Sequence, residues 1–181
     1  MDEGLRAELV ERAGRDQAAR LSQGPGHGMA EWEAVVAPVD RDNTARLREI
    51  IGRHGWPGRR LAGDDGAHAA WLLAQHAPPE LQEECLPLLE DAVTREDASP
   101  VDLAYLRDRV LTHRGEPQLY GTQYLIRNGV MELCARSAIP PGWTSGGPRS
   151  AWRRRPRTGR ACWQPRDCPA GAQTTSRPAD V

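Results

Sequence analysis

The chain has 181 residues, 24 basic side chains that are all Arg, 25 acidic ones and a formal net charge of −1, enough for one domain with a modest core. It holds no run of about 18 apolar residues, which argues against a membrane-spanning helix and a membrane partner. Met1-Asp2-Glu3-Gly4 is acidic and lacks the apolar core of a secretion signal, so a cytoplasmic location is expected.

Leu5, Leu9, Ala13 and Leu21, with Val10 beside them, predict a helix over about 2–22, stopped by Gln23-Gly24-Pro25-Gly26. A short segment from Met29 to Val36 carries Trp32, Val35 and Val36 before Pro38. A separate helix is predicted over 42–54, capped by Asp42 or Asn43, with Leu47, Ile50 and Ile51 inward and Gly55 as its left-handed stop. Asp64-Asp65-Gly66 reads as the start of the next, running to His76 with Ala67, Ala70, Trp71 and Ala74 on one face. After Pro78-Pro79 comes a helix with Leu81, Cys85, Leu88, Leu89 and Val93, in which Pro87 predicts a kink or a split. Ser99-Pro100-Val101-Asp102 is a capped start, Leu103, Leu106 and Val110 continue it and Gly115 ends it. From Gln118 to Leu133 the period changes: Asn128-Gly129 between two apolar runs predicts a β-hairpin. The expected fold is mainly α: one domain over 1–133, five or six helices with short antiparallel connections, ended by a hairpin over about 118–133.

Residues 134–181 read as a disordered tail rich in Arg, Pro and Gly. Trp143, Trp152 and Trp163 sit there with no spacing that gathers them on one face. The charge splits at the same place: 15 Arg against 23 acids through Leu133, then nine Arg against Asp167 and Asp180. One functional reading is an arginine-rich arm binding nucleic acid, the only route to such a partner. Another is an out-of-frame extension. The absence of Lys and Phe beside abundant Ala, Arg, Gly and Pro matches a very GC-rich gene. Back-translating Ser137 to Arg154 with GC-rich codons and shifting by one nucleotide yields a Val-Asp-Glu-Arg-Arg segment followed by an apolar stripe, closer to the rest of the chain than the tail as written. Cys85, Cys134, Cys162 and Cys168 form neither a CxxC pair nor a regular framework, so free thiols are expected.

Several separated segments carry a resemblance: Asp16-Gln17 with Arg20, Leu47 to Trp56-Pro57, Ala69 to Ala77, Ala104 to Val110, and Gln118 to Gln123. Over roughly 16–124 the chain resembles a bacterial family, domain of unknown function 6624. The resemblance implies a Val-Asp-Glu-Arg-Arg-like segment after the hairpin, missing from the written frame. It implies no activity.

Among polar residues at helix ends and the hairpin start, His76 is the best candidate for proton transfer, because imidazole titrates nearest neutrality. Asp108 would orient it. Gln75, Tyr105, Arg109, Tyr120 and Gln123 would line a ligand pocket, with Arg109 gripping an anionic group. The plainer alternatives are a histidine favoured in a last turn by the helix dipole and an arginine paired with a nearby acid. His68 and His76 lie about 12 Å apart along one helix and cannot share a metal. Asp16 and Arg20 read as a surface pair contributing about 0.3–0.5 kcal/mol; Trp56 and Trp71 read as core. No nucleotide-loop, nucleophile-elbow or zinc-protease motif occurs, and no cofactor or metal is expected. The leading reading is a binding or interaction module. The alternative is a small hydrolase or transferase acting on an anionic substrate, with His76, Asp108, Arg109 and Gln123 as its site.

Overall fold

The computed structural model describes residues 1–22, 29–127 and 130–133. The fold is mainly helical, with five helices among those residues. The first, α1 (Glu3–Leu21), is capped by Asp2, whose side chain accepts from Leu5 N at 3.0 Å, and it buries Leu5, Leu9 and Asp16 on one stripe. Asp2 N also donates to Leu61 O at 2.7 Å, tying the start of the chain to a later helix.

The two segments expected around Pro38 are one 26-residue helix, α2 (Met29–His54), so the cap expected at Asp42 or Asn43 is not formed. Proline removes a helical hydrogen bond and crowds the carbonyl four residues back. Here Pro38 is exposed, and Val36, Asn43, Leu47 and Ile50 continue one buried face across it, so packing overrides the local cost. Trp32 and Val35, just upstream, lie on the exposed side. Gly55 has the expected left-handed stop, φ +72°.

The central element is α3 (Arg59–His76), which packs against α1, α2, α4 and α5. It begins before the expected Asp64. Its first turn is fastened from a distant loop, where Asp97 accepts from Arg59 N through its carbonyl at 2.8 Å and from Arg60 N through Oδ1 at 2.7 Å. Gly63 (φ 71°, ψ 174°) then breaks the spiral, a conformation that glycine alone adopts freely, and the regular helix resumes where Asp64 was read as its start.

In α4 (Pro79–Thr94) the helix runs through Pro87, again on an exposed face, while Leu81, Cys85, Leu89 and Ala92 are buried. Gln82 lies wholly inside and donates its amide to Gln75 O at 3.0 Å and Ala77 O at 2.8 Å, satisfying carbonyls left open where α3 ends. The last helix, α5 (Pro100–His113), has the predicted Ser99 cap and Pro100 in its first turn, and Gly115 follows it with φ +71°. Leu9, Leu47, Leu81, Leu89 and Leu106 meet in the core, and Trp56 is buried with them.

Two four-residue extended segments follow, β1 (Tyr124–Arg127) and β2 (Val130–Leu133), set antiparallel with Tyr124 opposite Leu133. The Asn128-Gly129 turn expected to join them, and the whole tail from residue 134, lie outside the described residues. No helix among the described residues is long and apolar enough to cross a membrane.

Candidate functional site

Asp16 follows Leu5 and Leu9 on the inward stripe of α1, so the helix carries a carboxylate into the domain, 1% exposed. There it meets the end of α3. Asp16 Oδ2 lies 2.7 Å from His76 Nδ1, and it also accepts from Gln17 Nε2 at 3.0 Å. Arg20 Nε approaches both partners, 3.3 Å from Asp16 Oδ2 and 3.0 Å from His76 Nδ1. A ring nitrogen that donates to the carboxylate cannot also accept, so the Arg20 Nε–H goes to Asp16 while Nδ1–H does the same. From α2, Asp40 accepts from Arg20 Nη2 at 2.6 Å, and the guanidinium lies over the Trp32 ring, 5.2 Å from its centroid. His76 Nε2 makes no hydrogen bond to another described residue, and the side chain keeps 20% of its surface exposed.

The two carboxyls of this corner are tuned in opposite directions. Burial alone would raise the Asp16 pKa, but the bond and charge of His76, with Arg20, outweigh it and hold it below the ordinary value. At Asp40 burial wins over Arg20, and the pKa is raised.

Asp108 does not orient His76. It sits on the buried face of α5, fully enclosed, and its hydrogen bonds go to the chain beyond that helix. Leu119 N donates to Oδ1 at 2.8 Å, Tyr120 N to both oxygens at 3.1 Å, and Thr122 to Oδ2 through N at 2.9 Å and Oγ1 at 3.1 Å. The carboxylate is the hub around which residues 119–122 turn. Gln118 and Gln123 brace that turn: Gln123 N donates to Gln118 Oε1 at 2.8 Å and Gln118 Nε2 to Gln123 O at 2.9 Å. The Gln123 amide donates to Thr122 Oγ1 at 2.9 Å and to Tyr105 O at 3.3 Å. Tyr120 accepts from Arg107 Nη1 at 3.3 Å, and Arg107 pairs with Glu90 at 2.6 Å.

Gln75 and Arg109 do come together. With the amide turned so that both groups are satisfied, Gln75 Oε1 accepts from Arg109 Nε at 3.0 Å and Nη2 at 3.2 Å. The residues singled out in the sequence thus divide into two neighbourhoods: His76 with α1 and α2, and Tyr105, Asp108, Tyr120 and Gln123 around the turn after α5. Gln75 and Arg109 link α3 to α5.

Sequence reasoning missed Asp16 and Asp40 as partners of this histidine. An acid on the apolar stripe of α1 was the available signal, but its partner lies 60 residues away. A second His–Asp contact was also missed. His68 Nδ1 lies 3.3 Å from Asp102 Oδ2 beside a cleft of about 220 Å³, and its ring stacks on Trp71 at 4.8 Å. Trp71, read as core, is half-buried and shared between His68 and the edge of Tyr105. Cys85 is enclosed, and burial pushes its thiol up to about 12, which leaves no thiolate for nucleophilic attack. Among the described residues no three His, Cys, Asp or Glu side chains are grouped to hold a metal ion.

No curated protein and no solved structure matches the chain. The family of unknown function DUF6624 matches residues 3–134, and the chain belongs to that family.

Proposed function

We propose that the domain is a cytoplasmic binding or interaction module for a small polar ligand, with its recognition centre at the corner of Asp16, Arg20, Asp40 and His76. The observation that carries this reading is the 2.7 Å contact between a carboxylate 1% exposed and an imidazole 20% exposed. The inner partner fixes the ring, and the outer nitrogen is left for something that approaches from outside. Arg20, clamped between two acids and an aromatic face, stiffens the arrangement in the way a preorganised site requires. In this reading residues 1–133 form the domain, with 118–133 closing it as a hairpin. The antiparallel register of β1 and β2 and the family match over 3–134 support that boundary.

The same dyad favours a second reading, a small hydrolase or transferase. His76 would be the acid–base group and Asp16, in place of Asp108, the carboxylate that selects its tautomer. Arg109, held against Gln75, the residue before His76 in α3, would be the candidate for an anionic group of the substrate.

A thermal-shift screen of the full chain against a metabolite library, repeated with His76→Ala and Asp16→Asn, tests the proposal. A ligand should raise the wild-type melting temperature and lose most of that effect in both variants. A hit that stabilises all three proteins equally would remove His76 from recognition. Incubating each hit with wild-type protein and following its mass separates the readings: an unchanged ligand supports a binding module, and a His76-dependent product supports the enzyme.

A further inference from the structure

Two turns up α3 from His76, a cleft of about 220 Å³ opens between the start of α3, the side of α4 and the start of α5. Its apolar lining is Ala67, Leu89 and Ala98, and its polar lining includes Arg59, Asp64, His68, Ser99 and Asp102. We propose that this cleft binds a small organic cation, an ammonium or amidinium group on a compact apolar body, with Asp102 as the counter-charge.

The charges of the cleft are unevenly spent. Arg59 pairs through Nε with Asp64 at 2.6 Å at the rim and donates through Nη1 to the carbonyls of Ala98 at 3.2 Å and Glu96 at 3.3 Å, so the protein itself engages part of its guanidinium. Asp102 is different. Its side chain is 11% exposed, yet its single side-chain partner among the described residues is His68, at 3.3 Å, longer than the 2.7–2.9 Å usual for a charge-assisted bond. Its other oxygen makes no hydrogen bond to a described residue. Burial pushes the Asp102 pKa up, and His68 and Arg59 only partly oppose that. A buried carboxylate with so little compensation is expensive, and a cation seated beside it supplies what the protein does not.

The lining narrows the class of ligand. With Arg59 and Asp64 balanced against each other, Asp102 leaves the cleft negative, which disfavours carboxylates and phosphates. A bare metal ion lacks a grouped set of ligands here. The three apolar residues favour a body that leaves water along with its charged head. His68, stacked on Trp71, forms part of the wall.

The probe is benzamidinium, titrated into the full chain and followed by heteronuclear NMR, with benzamide and benzoate as neutral and anionic isosteres. The expected result is saturable shifting of the His68, Ser99 and Asp102 resonances by benzamidinium, with at least tenfold weaker effects from either isostere. Asp102→Asn, with its fold checked by circular dichroism, should weaken benzamidinium at least tenfold while His76 resonances stay unmoved by the ligand. Equal binding of benzamide, absence of saturation, or a folded Asp102→Asn protein that binds as wild type would overturn the proposal. The comparison of the three probes on wild-type protein decides the matter even if the variant does not fold.

Discussion

Asp16 and Asp108 are both buried aspartates on the inward face of a helix, and they do different work because of what donates to them. Asp108 takes its hydrogen bonds from three backbone amides and one hydroxyl of residues 119–122. Asp16 takes its bonds from side chains, two of them ionisable, on α1 and α3. A carboxylate answered by backbone fixes a chain path and hands no side chain on to the surface. One answered by an imidazole passes its influence outward, to a ring that solvent or a ligand can reach. Location in the core therefore separates neither role; the kind of donor does.

Asp108→Asn should produce the largest loss. Asparagine keeps one acceptor oxygen but turns an NH₂ toward amides that need an acceptor. Lost bonds to a charged group and newly unsatisfied buried donors together amount to about 3 kcal/mol. Urea unfolding should show a lower midpoint with an unchanged slope, and the amides of 119–122 should lose protection from hydrogen exchange. A near-neutral Asp108→Asn would mean that the turn does not depend on its hub, and the contrast with Asp16 would fail.

Gly58→Ala tests a second backbone-bound aspartate, Asp97. A Cβ at Gly58 would lie 2.4 Å from Asp97 Oδ2 and 2.6 Å from Asp97 O, the residue that fastens the first turn of α3. The side chain cannot yield without releasing Arg60 N, so overpacking should cost about 2 kcal/mol, read from the same unfolding measurement. An unchanged midpoint would show that the α3 start tolerates the shift.

How much of this was legible in the sequence depends on range. Local rules found α1, α5 and the positions of Gly55 and Gly115, because caps and stops act within one turn. They failed where packing outweighs a local penalty. Pro38 and Pro87 both sit on exposed faces inside continuous helices, and the residues that bury each helix are on the opposite side. They also failed at the start of α3, whose anchor, Asp97, lies 37 residues further on. Within the site, His76 was visible as a titratable group at a helix end. Its orienting acid was not, since choosing Asp16 over Asp108 requires knowing which helices touch. Asp16 and Arg20 have the spacing of a surface pair, and only the depth of the α1 stripe reveals that one member is buried.

The two acids around Arg20 should part company with pH. The Asp16 pKa is lowered in the folded state, so its contribution is present above the ordinary carboxylate value of about 4 and is lost as pH falls through the lower folded value. The Asp40 pKa is raised, so its contribution has the opposite sign, present in acid and lost as pH climbs through the raised value. Asp16→Asn should therefore cost about 1.5 kcal/mol near neutrality, where Arg20 still holds Asp40, and should flatten the acid limb of the stability curve. Asp40→Asn should cost less at neutral pH than at pH 3. Urea midpoints measured from pH 3 to pH 8 decide this, and parallel curves for the two variants would contradict it.

The smallest stability effect should come from His76→Asn, and it bears most directly on the comparison. The Asn amide nitrogen sits close to where Nδ1 was, so it can still donate to Asp16, while the outward half of the ring disappears. The cost should be about 0.5 kcal/mol, since one donor–acceptor bond is kept and a modest interaction with the end of the helix dipole is given up. His76→Ala removes the donor as well and should cost about 1 kcal/mol more. Ligand recognition at this corner, in contrast, should be lost in both. If His76→Asn instead destabilises as strongly as Asp108→Asn, the imidazole is a structural brace. Asp16 then belongs with Asp108, as a carboxylate whose work ends inside the domain.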